Sequence, residues 1–99
     1  MVHSNCEELH RLRNVDASKA LVVLASYAKR DRTFQPVKAI GTERWHVSAA
    51  GRDYEFLVNG PKFFDTRVSI GGGGAIDLVI YLYGIRFTEA VAVLRQRGL

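Results

Sequence analysis

The sequence predicts an α+β fold in which helices precede and follow a three-stranded antiparallel sheet. Two observations predict it. Residues 45–70 alternate between apolar and polar side chains with the period of two that is typical of strands, whereas the flanking segments repeat apolar residues at helical spacing. The chain has 99 residues and is 47% hydrophobic, which is enough for one domain over residues 1–99 with a core of its own.

Helices open the chain. A short helix is expected at about residues 7–13, and a second begins after Asp16, whose carboxylate is expected to cap the first turn. Its apolar positions recur at helical spacing at Leu21, Leu24, Ala25 and Ala28. Because cations suit a helix C-terminus, this helix is expected to extend to Arg30, with its last turn marked by Lys29, Arg30 and Arg32.

Cys6 is the single cysteine of the chain, and this count excludes an internal disulfide framework and a zinc site built from several cysteines. We expect Cys6 to be a small buried residue beside Leu9. An alternative places His3, Cys6 and His10 on one helical face as part of a metal site, but a fourth ligand is missing from this arrangement. We therefore predict no metal and no cofactor.

The middle of the chain predicts the sheet. Residues 33–40 are expected to be extended, with Pro36 confining them to an edge or a bend. Three strands are expected at residues 45–49, 54–58 and 64–70. Turns at residues 50–52 and 59–62 join them, and Asn59-Gly60 is a strong reversal signal.

The four glycines at residues 71–74 are expected to break the sheet and lead into two helices. Residues 75–83 are apolar nearly all round, as in a helix packed on both a sheet and another helix, and Gly84 is placed to end it. Thr88 is the expected N-cap of the last helix. In that helix Ala90, Val91 and Leu94 should face inward, with Arg95 and Arg97 outward.

The C-terminal third also contains a specific order of residues. Gly73 and Gly74, then Ile76-Asp77-Leu78, are followed by residues 84–91, which read GIRFTEAV, and by Leu94. This order resembles the end of the zinc-binding domain of bacterial DNA primases, which has two glycines, Ile-Asp-Phe, Gly-Leu-x-Phe-x-Glu-Ala-Val and Leu. Residues 45–48 look like the strand before the family's central hairpin, so the resemblance covers about the last two-thirds of the chain.

The sequence departs from that family at the zinc ligands. The family has a Cys-x-x-Cys pair on the hairpin beside the glycines, whereas residues 63–70 contain no cysteine. The resemblance therefore implies a zinc-ribbon-like fold without zinc. Aromatic residues of the sheet are expected to supply the missing stability: Trp45, Tyr54, Phe56, Phe63 and Phe64.

The resemblance implies a nucleic-acid-binding module, favouring single-stranded DNA, in replication or in mobile elements. The net charge of +4 also favours anionic partners. Cations on or beside the strands are the candidate binding residues: Arg44, His46, Arg52, Lys62 and Arg67. Bases could stack on an aromatic ring of the sheet, that of Tyr54, Phe63 or Phe64. The favoured interpretation is that these aromatic side chains belong to the core.

The glycine run offers a candidate phosphate contact at Gly72, Gly73 and Gly74, because backbone amides before a helix point toward an anion. The favoured interpretation is a tight turn from strand to helix, since no Lys-Ser or Lys-Thr follows as in a nucleotide-binding loop.

Other classes of function remain. The main alternative is a protein-interaction adaptor that docks to a replication or mobilisation protein. Catalysis is not expected, because nothing in the spacing selects a pair such as His46 with Asp65 or Asp53. No apolar run is long enough for a bilayer and no signal peptide is visible, so we expect no membrane partner and a cytoplasmic location. The sequence leaves the oligomeric state open.

Overall fold

Four helices pack on one face of a five-stranded antiparallel sheet in the computed structural model, which describes residues 6–99. The strands lie in chain order, β1-β2-β3-β4-β5. The elements are α1 (Cys6–Arg13), α2 (Ala17–Leu24), β1 (Tyr27–Asp31), β2 (Glu43–Ala49), β3 (Arg52–Asn59), β4 (Lys62–Asp65), β5 (Ile70–Gly73), α3 (Ala75–Tyr83) and α4 (Phe87–Gln96). The α+β class is confirmed, but the prediction of three strands is wrong.

The two central strands match their sequence pattern. In β2 and β3 the apolar positions point toward the helices, and these inward side chains are buried: Val47, Ala49, Tyr54, Phe56 and Val58. The predicted turns join β2 to β3 and β3 to β4, the latter with Gly60 at φ 55°. Strict alternation fixed these strands because a shift of one residue would expose every inward side chain.

The first correction concerns the segment after α2. The helix ends at Leu24 rather than Arg30, and residues Tyr27–Asp31 form an edge strand paired with β2. The backbone N–H of Ser26 donates to the carbonyl of Ser48 at 2.9 Å and starts this pairing. Ala28 is opposite Val47. Ala28 is therefore apolar because it lies on the inward face of a strand. Over so few residues, this pattern also fits the apolar spacing of a helix.

The second correction concerns the predicted strand at residues 64–70, which is two strands with a turn between them. The carboxylate of Asp65 accepts from the backbone N–H of Arg67 at 3.0 Å. The carbonyl of Asp65 accepts from the N–H of Ser69 at 2.9 Å, and Ser69 has φ 57°. The chain reverses here, and β5 then returns along β4. The glycines therefore form the edge strand instead of breaking the sheet, and the expected zinc-ribbon-like arrangement is not matched in detail.

Residues 32–42 form a loop rather than the extended segment expected around Pro36. At its start, Asp31 accepts from both the N–H and the hydroxyl of Thr33, at 2.9 and 2.6 Å. At its end, the amide of Asn59 donates to the carbonyl of Ile40 at 3.3 Å and to the hydroxyl of Thr42 at 3.2 Å. Side-chain bonds at both ends hold the loop beside the sheet.

The C-terminal helices follow the prediction with two changes. Gly84 ends α3 at φ 65°, as expected, and its N–H donates to the carbonyl of Ile80 at 2.8 Å. The N-cap of α4 is Arg86 rather than Thr88, because the carboxylate of Glu89 accepts from the N–H of Arg86 at 3.0 Å. The residues predicted to face inward are buried: Ala90, Val91 and Leu94.

The second change in α4 is at Arg95, which does not simply face solvent. Its guanidinium donates through two nitrogens to the carboxylate of Glu8 and joins α4 to α1. The hydrogen bond from Arg95 lowers the pKa of Glu8. Arg97 is exposed as expected, and it donates to the carbonyl of Val23 at 3.1 Å.

The first two helices begin close to their predicted positions. Asp16 is the N-cap of α2, but its side chain makes no capping hydrogen bond. Cys6 is exposed at the start of α1, so its expected burial is wrong. His3, proposed with Cys6 and His10 as part of a metal site, lies outside the described residues.

An aromatic cluster lies between the sheet and α3. The rings of Tyr54 and Phe56 stack with centroids 5.2 Å apart, and Phe63 and Tyr81 pack against Phe56 at 6.0 and 6.1 Å. Edge-to-face and stacked pairs of this kind add stability beyond the area they bury. Of the other aromatics assigned to the core, Trp45 is half-buried and Phe64 lies on the opposite side of the sheet.

Within residues 6–99, the helices are too short to span a lipid bilayer.

Candidate nucleic-acid interface

One face of the sheet is not covered by helices, and we call it the open face. Because side chains alternate along each strand, residues between the buried ones point to this side. The register places them in cross-strand rows, with Lys29 beside His46 and Asp31 beside Arg44. The open face contains Tyr27, Lys29, Asp31, Arg44, His46, Ser48, Asp53, Glu55, Leu57, Lys62 and Phe64.

Asp31 organises the polar end of the open face. Its carboxylate accepts from Nε and Nη2 of Arg44 at 3.0 and 2.6 Å, and Nε2 of His46 lies 3.5 Å away. The hydroxyl of Thr33, followed by the Arg44 guanidinium, holds the pKa of Asp31 well below its usual range. Asp31 is therefore ionised at neutral pH and offsets the charge of Arg44.

Beside this pair is a depression of about 430 Å³, which we call the basic cleft. It is lined by Lys29, Arg30, Asp31, Arg32, Thr33 and His46. Among residues 6–99 no carboxylate forms an ion pair with Lys29 or Arg32. Since the acid of the cleft is already held by Arg44 and Thr33, the cleft has an excess of positive charge that suits an anion.

The open face brings together three of the five predicted binding residues. Arg44 and His46 lie together on β2, where His46 lines the basic cleft, and Lys62 is at the β3–β4 hairpin, two strand spacings or about 10 Å across the sheet. Arg52 shares the inward phase of Tyr54, so it lies at the helix-covered side. Arg67 is in the β4–β5 turn and donates to the carbonyl of Asp53 at 3.2 Å.

Aromatic side chains reach the open face at three places. Tyr27 lies on β1, Phe64 is 39% exposed on β4, and the ring of Phe34 from the loop stacks on the guanidinium of Arg44 at 5.2 Å. Tyr54 and Phe63 are buried in the core and do not reach a ligand on this face. Of the three aromatics considered for base stacking, only Phe64 is placed for it.

Packing explains two of the three glycines considered for phosphate contact, Gly72 and Gly74. The ring of Phe63 lies over Gly72, where an added Cβ would be 2.6 Å from Cζ. Gly74 has φ 93°, and an added Cβ would be 2.9 Å from Cα of Arg13. The amide of Gly74 already donates to the carbonyl of Pro61, and the carboxylate of Asp77 accepts from Gly73 at 3.4 Å. An acidic residue in the first turn of α3 takes the place that a phosphate would need.

Of the two pairs considered for catalysis, His46 and Asp53 share the open face, where the carboxylate of Asp53 accepts from the hydroxyl of Ser48 at 2.6 Å, and His46 and Asp65 are separated. His46 is on the open face beside Asp31, whereas Asp65 is buried on the opposite face. Within the described part of the chain, no group of three or more His, Cys, Asp or Glu side chains could hold a metal ion.

Sequence reasoning left Lys29 and Arg32 out of the candidate binding residues because it assigned them to the end of a helix. The signal was present but short, since Tyr27, Lys29 and Asp31 alternate with Ala28 and Arg30. A segment of five residues that is rich in cations fits the pattern of a strand and also that of the last turn of a helix.

Comparison with known proteins finds no match to this chain among protein-family models, curated proteins or solved structures.

Proposed function

We propose that this chain is a non-catalytic module that binds single-stranded nucleic acid, with single-stranded DNA favoured, through the open face of its sheet. The proposal includes kinship with the zinc-binding domain of bacterial DNA primases and a role in replication or in mobile elements, in the cytoplasm. The kinship rests on the sequence order from Gly73 to Leu94.

The observation that supports the proposal best is the basic cleft next to exposed aromatic rings. Lys29 and Arg32 would contact phosphates, because neither is held by an acid of the described chain. Phe34 and Phe64 would stack on bases, which is the combination that holds single strands without strong sequence preference. A duplex hides its base faces, so it would gain only from the phosphate contacts.

Arg44 has a different role in this proposal. Its guanidinium is held between Asp31 and the ring of Phe34, so it positions the loop rather than supplying free charge. Lys62, at the far side of the open face, would contact the strand where it leaves the sheet.

The test is the anisotropy of a fluorescein-labelled oligo(dT) titrated with the protein across a salt series. Each phosphate contact contributes about 0.7 to the slope of log K against log salt for a single strand. The double variant Lys29→Gln and Arg32→Gln should therefore lower the slope by about 1.4 and weaken binding most at low salt. A duplex of the same length should bind more weakly than oligo(dT).

A matched control removes the same charge elsewhere. Arg11 and Lys19 are exposed on α1 and α2, away from the open face. The double variant Arg11→Gln and Lys19→Gln should keep the wild-type salt slope, because binding depends on the cations of the basic cleft and not on net charge alone. No binding of oligo(dT) at about 50 mM salt, where phosphate contacts are strong, would contradict the proposal.

A further inference from the structure

An apolar groove runs between the loop at residues 32–42 and the β3–β4 hairpin, beside the basic cleft. It consists of two neighbouring depressions, of about 380 and 280 Å³, that share Thr42 and Leu57. Val37 and Ala39 of the loop line one side, and Phe64 lines the far end. Side-chain bonds from Asn59 to the end of the loop hold this wall in place.

The loop exposes apolar side chains to solvent, and packing within this chain does not explain their exposure. Val37 is 94% exposed and Ile40 is 98% exposed. Single exposed apolar residues are ordinary, but a contiguous set around a groove marks a binding surface. Here Val37, Ala39 and Leu57 meet in one depression, and Ile40 lies next to Ala39 in the chain.

The charges around the groove have one sign. Lys38 lines the first depression and Lys62 lines the second. Among residues 6–99, none of the side chains that line either depression is acidic. An occupant with carboxylates flanking an apolar centre would pair with both lysines, whereas a basic one would meet like charges.

The groove differs from a base-binding surface in its chemistry. Bases stack on aromatic rings or guanidinium planes, and this groove has rings only toward its ends, Phe34 at one and Phe64 at the other. Its centre is formed by the aliphatic side chains of Val37, Ala39 and Leu57. An aliphatic centre of this kind fits the apolar side chains of a peptide.

We infer that this groove binds a peptide segment of a partner protein in which acidic residues flank apolar anchors. The anchors lie against Leu57 and Phe64, and the flanking carboxylates pair with Lys38 and Lys62. The groove shares Phe34, Phe64 and Lys62 with the surface proposed for nucleic acid, so an acidic peptide bound here competes with a single strand for these side chains.

The test is a selection in which a random peptide library displayed on phage is screened for binding to the full chain. Peptides with apolar anchors and flanking Asp or Glu should be enriched, and their affinity should fall at least tenfold for Val37→Asp. Because Val37 is almost fully exposed in a loop, this variant keeps the fold, which circular dichroism verifies. Lys38→Glu with Lys62→Glu should shift the selected flanks from acidic to basic residues.

Three results would overturn the inference. The first is enrichment of no common pattern, or of basic flanks, with the wild-type chain. The second is a wild-type dimer in light scattering that Val37→Asp dissociates, which assigns the groove to a second copy. The third is a combination of two results: the wild-type chain selects no peptides, and the variant Leu57→Asp loses oligo(dT) binding. This combination would assign the groove to nucleic-acid bases. Lys29→Gln with Arg32→Gln should leave peptide selection unchanged, so failure of the nucleic-acid proposal is distinguishable.

Discussion

At the scale of single residues, Asp65 shows how the interior accepts a polar group. It is the charged side chain of residues 6–99 that is most completely buried, at 4% exposed. The hydroxyl of Tyr81 donates to its Oδ2 at 2.5 Å, and the N–H of Arg67 donates to Oδ1 at 3.0 Å. A buried carboxylate is costly without such partners. The pair therefore ties the β4–β5 turn to α3.

The same contact predicts a pH dependence of stability. Burial, reinforced by the hydrogen bond to Asp65, raises the pKa of Tyr81 from 10.0 to about 12. The neutral phenol is thus favoured in the folded state, and its contribution to the free energy of unfolding is complete below pH 10 and lost as the pH rises toward 12. Urea titrations across this window should show a smaller loss for Tyr81→Phe than for wild type.

The control for this prediction is Tyr27→Phe, which removes an exposed tyrosine from β1. Its free energy of unfolding should change with pH as the wild type does, because the contact between Tyr81 and Asp65 is intact in this variant. An equal pH slope for Tyr81→Phe and wild type would show that the buried pair does not act as described.

At the scale of elements, β5 is an edge strand made almost entirely of glycine. Its residues Gly71 and Gly72 lie under the rings of Phe64 and Phe63, so the rings take the space that side chains would otherwise fill. Aromatic residues that cover glycines on a neighbouring strand are a known means of fixing register. The glycines are thus needed for close approach of β4 and β5.

A pair of substitutions tests this account. Gly72→Ala should lower the free energy of unfolding by about 1–3 kcal/mol, because the new methyl group overlaps the buried ring of Phe63. Gly73→Ala, on the same strand, meets no atom within 4 Å and should be neutral or slightly stabilising. Thermal and urea unfolding of both variants supply the comparison, and equal destabilisation would contradict it.

The same two variants separate packing from phosphate binding. If the glycine run contacts phosphate through Gly73, a methyl group there should weaken oligo(dT) binding. We expect no change, because the carboxylate of Asp77 already accepts from that amide.

The elements that were predictable from sequence are those with a long, strict pattern. Strands β2 and β3 follow their alternation, and α3 ends at Gly84 as expected. Strand β1 was missed because five residues fit two periods, and β5 because glycine has no side chain to show a face. Both errors are at sheet edges, where pairing with a neighbour decides the structure.

At the scale of the whole molecule, the candidate interface depends on those edge strands. Arg44, His46 and Lys62 were predictable as strand cations, but the basic cleft exists only because β1 places Lys29 beside His46. Arg52 was assigned to the turn at residues 50–52, whereas it begins β3 in the inward phase of Tyr54. Arg67 was assigned to a strand, whereas it lies in the turn at residues 66–69, which the alternation did not reveal.

The layered core leads to a last prediction, on metal independence. The chain has one cysteine, and in residues 6–99 no group of three or more metal-binding side chains comes together. The aromatic cluster of Tyr54, Phe56, Phe63 and Tyr81 occupies the space between sheet and helix. The midpoint of thermal unfolding should therefore be the same with and without a strong chelator. A zinc-dependent domain treated in parallel should lose its cooperative unfolding transition, because the free energy of zinc binding supplies the stability of its folded state. A chelator-induced loss of the transition in this chain would mean that a metal, and not the aromatic core, holds the sheet against α3.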